Sequence, residues 1–255
     1  MITVSKEQLA GIPSLQVVDL QKENNPLPLV IFWHGFTGVK EHSLHHAYLL
    51  AEEGYRVILP DALHHGERDK GISNDQRNLF FWEIVIQSIH ETASIVSIFK
   101  EKAHIYHDDI SIAGVSMGAI ISLGAMTQFD WIKTAGSFMG TPAYEDFVQR
   151  QVEQMKRSSD YFPFTEKELS EKVALINQYD LSKKPEAIIG RELFFWHGEK
   201  DDVVPIKGAK DFVDHQREND NIKLIVDKHA GHHVSHQAIL DFVSWMKKRQ
   251  TIKIN

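Results

Sequence analysis

The sequence predicts an α/β fold in which a mostly parallel central sheet is flanked by helices. Short apolar segments rich in β-branched and aromatic residues alternate with longer segments of helical periodicity along most of the chain. Several apolar segments are continuous instead of alternating, which is typical of strands buried on both faces of a parallel sheet. With 255 residues, 42% of them hydrophobic, the chain is long enough for one such domain spanning residues 1–255.

The predicted strands begin with an opening hairpin or edge pair formed by Ile2–Ser5 and Leu15–Leu20. The next strand is Leu29–Trp33, an uninterrupted LVIFW run whose length and composition favour a buried strand. Further short apolar runs bounded by turn residues predict the strands Arg56–Leu59, Asp109–Val115, Lys133–Met139, Glu192–Trp196 and Ile222–Val226.

The segments between these strands show the apolar spacing of amphipathic helices. Gly54 is suited to end the first of them, because glycine readily adopts the conformation that follows a helix. The predicted helices are Ser43–Glu53, Asn78–Lys100, Met117–Thr127, Pro205–His215 and Ser235–Lys248. This alternation places the carboxyl ends of the parallel strands at one edge of the sheet, where ligands bind in such folds.

One segment, residues 141–190, departs from this alternation. About 50 residues separate the strand ending at Met139 from the one starting at Glu192, and a structureless loop of that length would be unusual. Helical patterns at 144–157 and 166–179 predict a small helical cap inserted in the domain. Its aromatic residues either line a pocket for an acyl or alcohol group or pack the cap onto the sheet: Tyr144, Phe147, Tyr161, Phe162 and Phe164.

The composition argues against several classes of protein and site. The net charge of −7 disfavours a nucleic-acid-binding protein, which would carry a basic patch for phosphates. The chain has no cysteine, which excludes disulfides, thiolate metal ligands and a cysteine nucleophile. The first residues lack the pattern of a secretory signal, and no apolar run approaches the roughly 20 residues of a membrane span. We therefore expect a cytoplasmic protein with neither nucleic acid nor a membrane as partner.

A candidate nucleophile lies in Gly114-Val115-Ser116-Met117-Gly118, which matches the pattern G-x-S-x-G. The chemistry of this pattern requires a serine on a sharp turn between a strand and a helix, with small residues on both sides. A predicted buried strand ends at Val115 and a predicted helix begins at Met117, so the context fits. Ser116 is therefore the predicted nucleophile, and an ordinary serine in a tight turn is the less favoured alternative.

A candidate acid follows the strand that ends at Trp196. A serine hydroxyl becomes an effective nucleophile only beside a base that is oriented by a third group. The loop before Pro205 carries two carboxylates at a strand end, and we favour Asp201 over Asp202 as the orienting acid. The alternative is a solvated acidic turn that caps the next helix.

The candidate base lies after the last strand, in a loop with four histidines. His232 follows Gly231, which lets the loop bend towards a neighbouring strand end. We therefore favour His232 as the base and place His233 second. His229 and His236 are expected to be surface or structural residues.

Acyl transfer also needs N–H donors for the oxygen that becomes negative in the tetrahedral intermediate. The backbone N–H of Met117, next to the nucleophile, is the first predicted donor. The second is the N–H of Phe36 in the HGFTG segment directly after LVIFW, where glycines permit close approach of the backbone. A plain turn at the end of the strand is the alternative for this segment.

Together these motifs resemble those of the α/β-hydrolase superfamily, in the branch shared by dienelactone hydrolases and prolyl-oligopeptidase-like enzymes. More closely than this branch as a whole, the chain resembles small bacterial carboxylesterases of the YjfP/YitV type, from about Pro26 to the last helix. Five motifs in order carry the resemblance: HGFTG, PDALHHGER, GVSMG, HGEKDDVVP and the late GHH. PDALHHGER departs from the glycine-rich loop that is more usual there, which bears on substrate preference.

The resemblance implies an α/β-hydrolase fold and hydrolysis of small carboxylic esters through an acyl-enzyme, without a cofactor. It implies Ser116 as nucleophile, Asp201 as acid and His232 as base, with the N–H groups of Phe36 and Met117 as oxyanion donors. Thioesterase and peptidase activities use the same triad and are alternatives within this class.

The 15 histidines raise one rival function, a metal-dependent hydrolase, because neutral imidazole is a good zinc ligand. The chain has no HExxH motif, and the late histidine cluster contains no acidic residue, so we expect no metal site. The clustered histidines are His42, His45, His46, His64, His65 and those within 229–236. A second rival, a non-catalytic binding protein of the same fold, is disfavoured by the complete Ser, Asp and His set.

Overall fold

The structure is a computed structural model and describes residues 1–158 and 162–254. The strands of these residues form one eight-stranded sheet: β1 (Ile2–Leu9), β2 (Ile12–Asp19), β3 (Leu27–Trp33), β4 (Arg56–Pro60), β5 (Ile105–Val115), β6 (Thr134–Phe138), β7 (Glu192–Gly198) and β8 (Ile222–Asp227). Their order is β1-β2-β4-β3-β5-β6-β7-β8. The pairs β1–β2 and β2–β4 are antiparallel and the other neighbours are parallel, which confirms the predicted mostly parallel sheet.

The described helices are α1 (Leu44–Glu52), α2 (Asn74–Leu79), α3 (Phe81–Glu101), α4 (Met117–Gln128), α5 (Tyr144–Ser158), α6 (Glu166–Ile176), α7 (Lys207–His215) and α8 (His236–Ile254). Residues of α3 and α4 belong to one hydrophobic core, and residues of α1 and α8 belong to the other. The sheet therefore has helices on both faces, as predicted.

The central strand β3 shows why its sequence is continuously apolar. Leu29, Ile31 and Trp33 pack in the core with α3 and α4, whereas Val30 and Phe32 pack in the core with α1 and α8. All five side chains are fully buried or nearly so. A strand covered on both faces has no position left for a polar side chain, which accounts for LVIFW.

The predicted helix Asn78–Lys100 is wrong in one respect, because the chain forms two helices there. α2 begins after Ser73, which forms a capping box with Gln76, and it ends before Phe80. The guanidinium of Arg77 donates to the carbonyl of His64 at 3.0 Å and to the carboxylate of Asp69 at 3.1 Å. These contacts tie α2 to the preceding loop, and Phe80, with φ −89° and ψ 3°, separates α2 from α3.

Residues 141–190 contain α5 and α6, joined to β7 by short 3₁₀ turns. The α-helix predicted to reach residue 179 ends at Ile176, and the chain continues as a 3₁₀ turn over Asn177–Tyr179. Of the predicted cap aromatics, Tyr144 and Phe147 are buried, and Tyr144 donates its hydroxyl to the carbonyl of Ile120 on α4. Phe162 and Phe164 contact each other at a partly exposed site, and Tyr161 lies outside the described residues.

Within the described residues, no helix combines the length and the hydropathy that crossing a lipid bilayer requires.

His46 on α1 is a buried histidine that no site motif uses. Its ring packs against Phe32 and Phe138, with ring centroids 4.7 and 5.6 Å away. Neither ring nitrogen has a hydrogen-bond partner among the described residues. Burial, reinforced by the neighbouring His45, lowers the pKa of His46 to about 3.

We expect His46 to make the folded state less stable as the pH is lowered. The unfolded chain takes up a proton at this residue below a pH of 6.5, whereas the folded protein keeps the ring neutral until a pH of about 3. Between pH 7 and pH 4 this difference amounts to about 3 kcal/mol. Urea unfolding of the wild type and of His46→Leu at both pH values measures it, because the variant should lose less stability by that amount. Equal losses in the two proteins would contradict the assignment.

Candidate active site

Ser116 lies at the turn between β5 and α4, where its motif predicts a nucleophile. Its backbone has φ 54° and ψ −113°, and such a positive φ is rare for a residue with a side chain. A Cβ at Gly114 would collide with the backbone of Gly118, and a Cβ at Gly118 would collide with the carbonyl of Trp33. The turn that presents Ser116 therefore requires glycine at both flanking positions.

The strand order brings the predicted acid and base to the same edge as Ser116. β5, β6, β7 and β8 are parallel neighbours, so their carboxyl ends lie side by side. The N–H of Ser116 donates to the carbonyl of Phe138 at 2.8 Å, and the N–H of Met139 donates to the carbonyl of Trp196 at 2.9 Å. Backbone pairing thus continues up to the loops that carry Asp201 and His232.

Asp201 is buried at the start of the loop after β7, and its side chain has 0% exposure. Its Oδ1 accepts hydrogen bonds from the N–H groups of Val203 and Val204 at 3.0 and 2.9 Å. Its Oδ2 accepts a hydrogen bond from Nδ1 of His232 at 2.7 Å. These donors offset the cost of burying the carboxylate and direct one oxygen at the imidazole.

The environment of Asp201 keeps its carboxyl group ionised. Burial alone would raise the pKa of Asp201, but the imidazoles of His197 and His232 and the N–H of Val204 hold that pKa well below its usual range. His197 donates its Nε2–H to the carbonyl of Val204 at 2.7 Å and lies 3.4 Å from Oδ2 of Asp201. Its support for the carboxylate is therefore electrostatic, and the direct hydrogen bond to Oδ2 comes from His232.

His232 lies between Asp201 and Ser116. Its Nδ1 is 2.7 Å from Oδ2 of Asp201 and its Nε2 is 2.9 Å from Oγ of Ser116. Because an ionised carboxylate can only accept, Nδ1 carries the hydrogen and Nε2 faces the hydroxyl with its lone pair. The structure thus brings a hydroxyl, an imidazole and a carboxylate together in series.

The loop after β8 reaches this position through close backbone contact with the loop after β7. A Cβ at Gly198 would collide with the carbonyl groups of Ala230 and Gly231. The N–H of Lys200 donates to the carbonyl of Ala230 at 3.0 Å, and the N–H of Glu199 donates to the carbonyl of Asp227 at 2.8 Å. Glycine at position 198 therefore allows the loop after β8, which carries His232, to lie directly on the loop after β7, which carries Asp201.

The competing residues of both loops point elsewhere. Asp202 and His233 are exposed, and so are His229 and His236. The backbone carbonyl of Asp202 accepts a hydrogen bond from Arg150 on α5 at 3.0 Å. Neither Asp202 nor His233 has the hydrogen bonds that join Asp201, His232 and Ser116.

The two predicted oxyanion donors belong to backbone segments next to Ser116. Met117 is the first residue of α4, and Phe36 belongs to the turn after β3, which pairs with β5. A Cβ at Gly35 would be 3.4 Å from the carbonyl oxygen of Val115 and 3.6 Å from Cβ of Ser116, so this turn lies against Ser116. Among the described residues, no protein acceptor is found for the N–H of Phe36 or of Met117.

A cleft of about 640 Å³ opens beside Ser116, a volume within the range of small-molecule sites. Its apolar lining includes residues of the turn after β3, of α3, α4 and α5, and of the loop after β7 that carries Asp201: Phe36, Phe81, Ile120, Phe147 and Val204. Its polar lining comes mainly from α2 and α5: Asp75, Asn78, Arg150, Gln151 and Gln154.

Two polar side chains of α5 connect the polar lining of the cleft to other parts of the molecule. Arg150 donates to the carbonyl of Asp202, the neighbour of Asp201, and Gln151 accepts from the indole N–H of Trp82 at 2.8 Å. Neither of these polar residues belongs to a motif from which the sequence predicts a functional residue. Together with Phe147 and Gln154 they follow the i, i+3, i+4, i+7 spacing of one helical face, but only the contacts of α5 with α3 and with the loop after β7 show that this face lines a cleft.

Within residues 1–158 and 162–254, no three His, Asp or Glu side chains converge in an arrangement that could hold a metal ion.

Sequence similarity to known proteins extends over most of the chain. The sequence model of the dienelactone hydrolase family matches residues 15–237. The protein YitV of Bacillus subtilis (strain 168) is 38% identical over 252 residues, which cover 97% of this chain and 99% of YitV. Esterase YjfP of Escherichia coli (strain K12) is 32% identical over 208 residues, which cover 80% of this chain and 81% of YjfP.

Solved structures share the fold at lower identity. TT1662 from Thermus thermophilus superposes with a TM-score of 0.77 at 19% identity, covering 97% of this chain and 98% of that one. The Pyrococcus furiosus esterase Pf2001 superposes with a TM-score of 0.63 at 18% identity, covering 98% of this chain and 90% of that one. At these identities the likeness concerns the fold alone.

We expect Gly118→Ala to destabilise the protein much more than Gly35→Ala. The new Cβ at position 118 would meet the backbone of β3, which cannot rotate away, whereas the Cβ at position 35 has its nearest contact at 3.4 Å. Overpacking of this kind costs about 1–3 kcal/mol or more. Thermal unfolding measures the difference, and a similar melting temperature for Gly118→Ala and the wild type would show that the turn is looser than described.

Proposed function

Because the chain belongs to the dienelactone hydrolase family, we propose that it is a serine carboxylesterase that hydrolyses small acyl esters through an acyl-enzyme. The observation that supports this most directly is the series formed by Ser116, His232 and Asp201, with contacts of 2.9 and 2.7 Å. A base within hydrogen-bond reach of a serine hydroxyl, itself oriented by a buried carboxylate, is what nucleophilic catalysis by serine requires.

In the proposed acylation step, Oγ of Ser116 attacks the ester carbonyl carbon while Nε2 of His232 takes the hydroxyl proton. The carbonyl π electrons move to the oxygen, which becomes the oxyanion. Asp201 keeps the hydrogen of His232 on Nδ1 and stabilises the imidazolium that forms. The low pKa of Asp201 suits this role, because a carboxyl that stays ionised can hold one tautomer throughout the cycle.

The N–H groups of Phe36 and Met117 would bind the oxyanion. Met117 is at the amino end of α4, where the unpaired N–H groups and the helix dipole favour negative charge. Donors that are already in place stabilise the tetrahedral intermediate without reorganisation, and the loss of one such donor costs about 10²–10³ in rate.

The remaining steps reverse the proton transfer and release the products. The imidazolium of His232 gives its proton to the leaving alkoxide as the ester C–O bond breaks, which leaves Ser116 acylated. A water molecule then gives a proton to Nε2 and attacks the acyl carbon, and collapse of this second intermediate returns the proton to Oγ and frees the carboxylic acid.

The cleft beside Ser116 would hold the substrate. Its apolar lining, which includes Phe36, Phe81 and Phe147, suits an acyl or alcohol group of low polarity. The 141–190 segment would act as a cap, since α5 provides one wall of the cleft. Phe147 on α5 belongs to that lining, whereas Tyr144 on the same helix packs the segment onto α4.

We expect Ser116→Ala to lose about 10⁶-fold in kcat towards an ester while folding normally, because the nucleophile is removed and no buried contact is broken. The measurement is turnover of a p-nitrophenyl ester series graded by acyl length, with circular dichroism and thermal unfolding as controls for folding. A fluorophosphonate probe should label the wild type and not the variant. Near-normal turnover by the folded variant would end the proposal.

Acyl thioesters and peptide amides are assayed alongside the ester series, because all three substrate classes can pass through an acyl-enzyme. Faster turnover of esters than of matched thioesters or amides is the expected result. A preference for thioesters or amides that still depends on Ser116 would keep the mechanism and change the substrate class.

Asp201→Asn and Asp202→Asn form a matched pair that tests the acid. The amide introduced by Asp201→Asn would present an N–H or a carbonyl to His232, so the tautomer with the hydrogen on Nδ1 is no longer favoured, and kcat should fall by about 10⁴-fold. The exposed carboxylate of Asp202 makes no contact with His232, and its replacement should leave kcat within about twofold, the range of a surface substitution. Equal effects of the two substitutions would contradict the role given to Asp201.

A further inference from the structure

The turn that carries the second oxyanion donor has an unusual backbone. Residues 35–38 form a turn closed by a hydrogen bond from the N–H of Gly38 to the carbonyl of Gly35 at 3.0 Å. Its third residue, Thr37, has φ 61°, a conformation that glycine usually supplies in such turns. A β-branched residue with this φ is strained, at a cost of about 1–3 kcal/mol, and strain of this size persists only where surrounding contacts hold the backbone.

The contact that holds this backbone comes from PDALHHGER, the motif that departs from the family pattern. Nε2 of His65 accepts the N–H of Thr37 at 3.2 Å, and Nδ1 of His65 donates to the carbonyl of Leu63 at 2.8 Å. A backbone N–H can only donate and a carbonyl can only accept, so the ring must be neutral with its hydrogen on Nδ1. The residue bonded in this way directly follows Phe36.

Two further hydrogen bonds join the loop that carries His65 to the residues that flank the turn. Nε2 of His34 accepts the N–H of Ala62 at 3.1 Å, and Oδ1 of Asp61 accepts the N–H of Lys40 at 3.0 Å. The ammonium of Lys40 also donates to Oδ2 of Asp61 at 2.7 Å, and both side chains are buried. These contacts fix the position of the loop that carries His65, so His65 can in turn hold the turn at residues 35–38 in place.

The surroundings of His65 keep its imidazole in the neutral form that the contact needs. Burial lowers the pKa of His65, and the guanidinium of Arg77 lowers it further, against the opposing effects of the Leu63 carbonyl, Asp69 and Asp61. The neighbouring His34, whose ring centroid is 5.1 Å away, is also held neutral, since burial lowers its pKa to about 4.

We propose that His65 is a positioning residue, whose hydrogen bond to Thr37 holds the N–H of Phe36 in place for the oxyanion. This role rests on the serine esterase mechanism proposed above. His65 is not among the described residues that line the cleft, so it acts through the turn and not through substrate contact. Loss of the bond should therefore weaken binding of the transition state and leave binding of the ground state unchanged.

Two amide substitutions separate the two hydrogen bonds of His65. In His65→Gln the terminal amide reaches the position of Nε2, so its oxygen can accept the N–H of Thr37. In His65→Asn the shorter amide reaches only the position of Nδ1, so it can donate to Leu63 and leaves Thr37 unbonded. The two side chains have the same chemistry and differ by one methylene, which makes the pair a matched test of reach.

For His65→Asn we expect kcat to fall about 10- to 100-fold with KM nearly unchanged, because a donor displaced by about 1 Å is costly in the transition state. His65→Gln should stay close to the wild type. The inhibition constant of an alkyl trifluoromethyl ketone, which forms a hemiketal oxyanion with serine, should rise for His65→Asn by the same factor by which kcat/KM falls. His215→Asn, at the exposed end of α7, is the control for replacing a histidine elsewhere.

The possible results of these experiments distinguish a failure of the role proposed for His65 from a failure of the proposed esterase mechanism. Wild-type activity that is abolished by Ser116→Ala, together with full kcat in a folded His65→Asn variant, would overturn the role of His65 and keep the esterase. An equal fall of kcat in His65→Gln and His65→Asn, with equal loss of melting temperature, would show that His65 only stabilises the fold. Activity that survives Ser116→Ala would overturn the esterase mechanism itself.

Discussion

The hydrogen bond between His232 and Ser116 depends on a sheet that brings distant strand ends to one edge. The imidazole is 116 residues from the hydroxyl and 31 residues from the carboxylate along the chain, so no single helix or turn could hold the three groups together. Parallel pairing from β5 to β8 places their loops side by side, and the close backbone contact at Gly198 brings the last loop onto the one before it. Two well-packed cores keep these distances fixed.

Most buried polar groups around the site are matched by a partner of the right kind, and Nδ1 of His197, which has no hydrogen-bond partner among the described residues, is an exception. Asp201 is charged and accepts N–H groups on both oxygens, whereas His34 and His65 are neutral and use both ring nitrogens. Lys40 and Asp61 neutralise each other beside the turn that carries Phe36. The high histidine content thus has several separate structural causes, and His46, packed against phenyl rings, is one that lies outside the site.

Sequence reasoning succeeded where a structural feature depends on neighbouring residues. The LVIFW run predicts β3 because burial on both faces leaves a local apolar signature. The GVSMG pattern predicts the turn at Ser116 because the residues that form the turn are consecutive, although the space left by Gly118 is needed by the carbonyl of Trp33 on β3. It failed at Phe80, where apolar periodicity continues across the boundary between α2 and α3. The break reflects contacts of Arg77 with a loop, and periodicity contains no information about such contacts.

The sequence by itself determined how strands and helices alternate along the chain, the turn at Ser116, and the two loops from which an acid and a base could come. Only the tertiary structure shows that Asp201 and not Asp202 is hydrogen-bonded to His232, and that His232 and not His233 is hydrogen-bonded to Ser116, because adjacent residues of a loop point in different directions. Those directions are set by the N–H groups of Val203 and Val204 and by the backbone contact between Lys200 and Ala230. The role proposed for His65 likewise depends on tertiary structure, since the N–H that it accepts belongs to the turn after β3, 28 residues away along the chain.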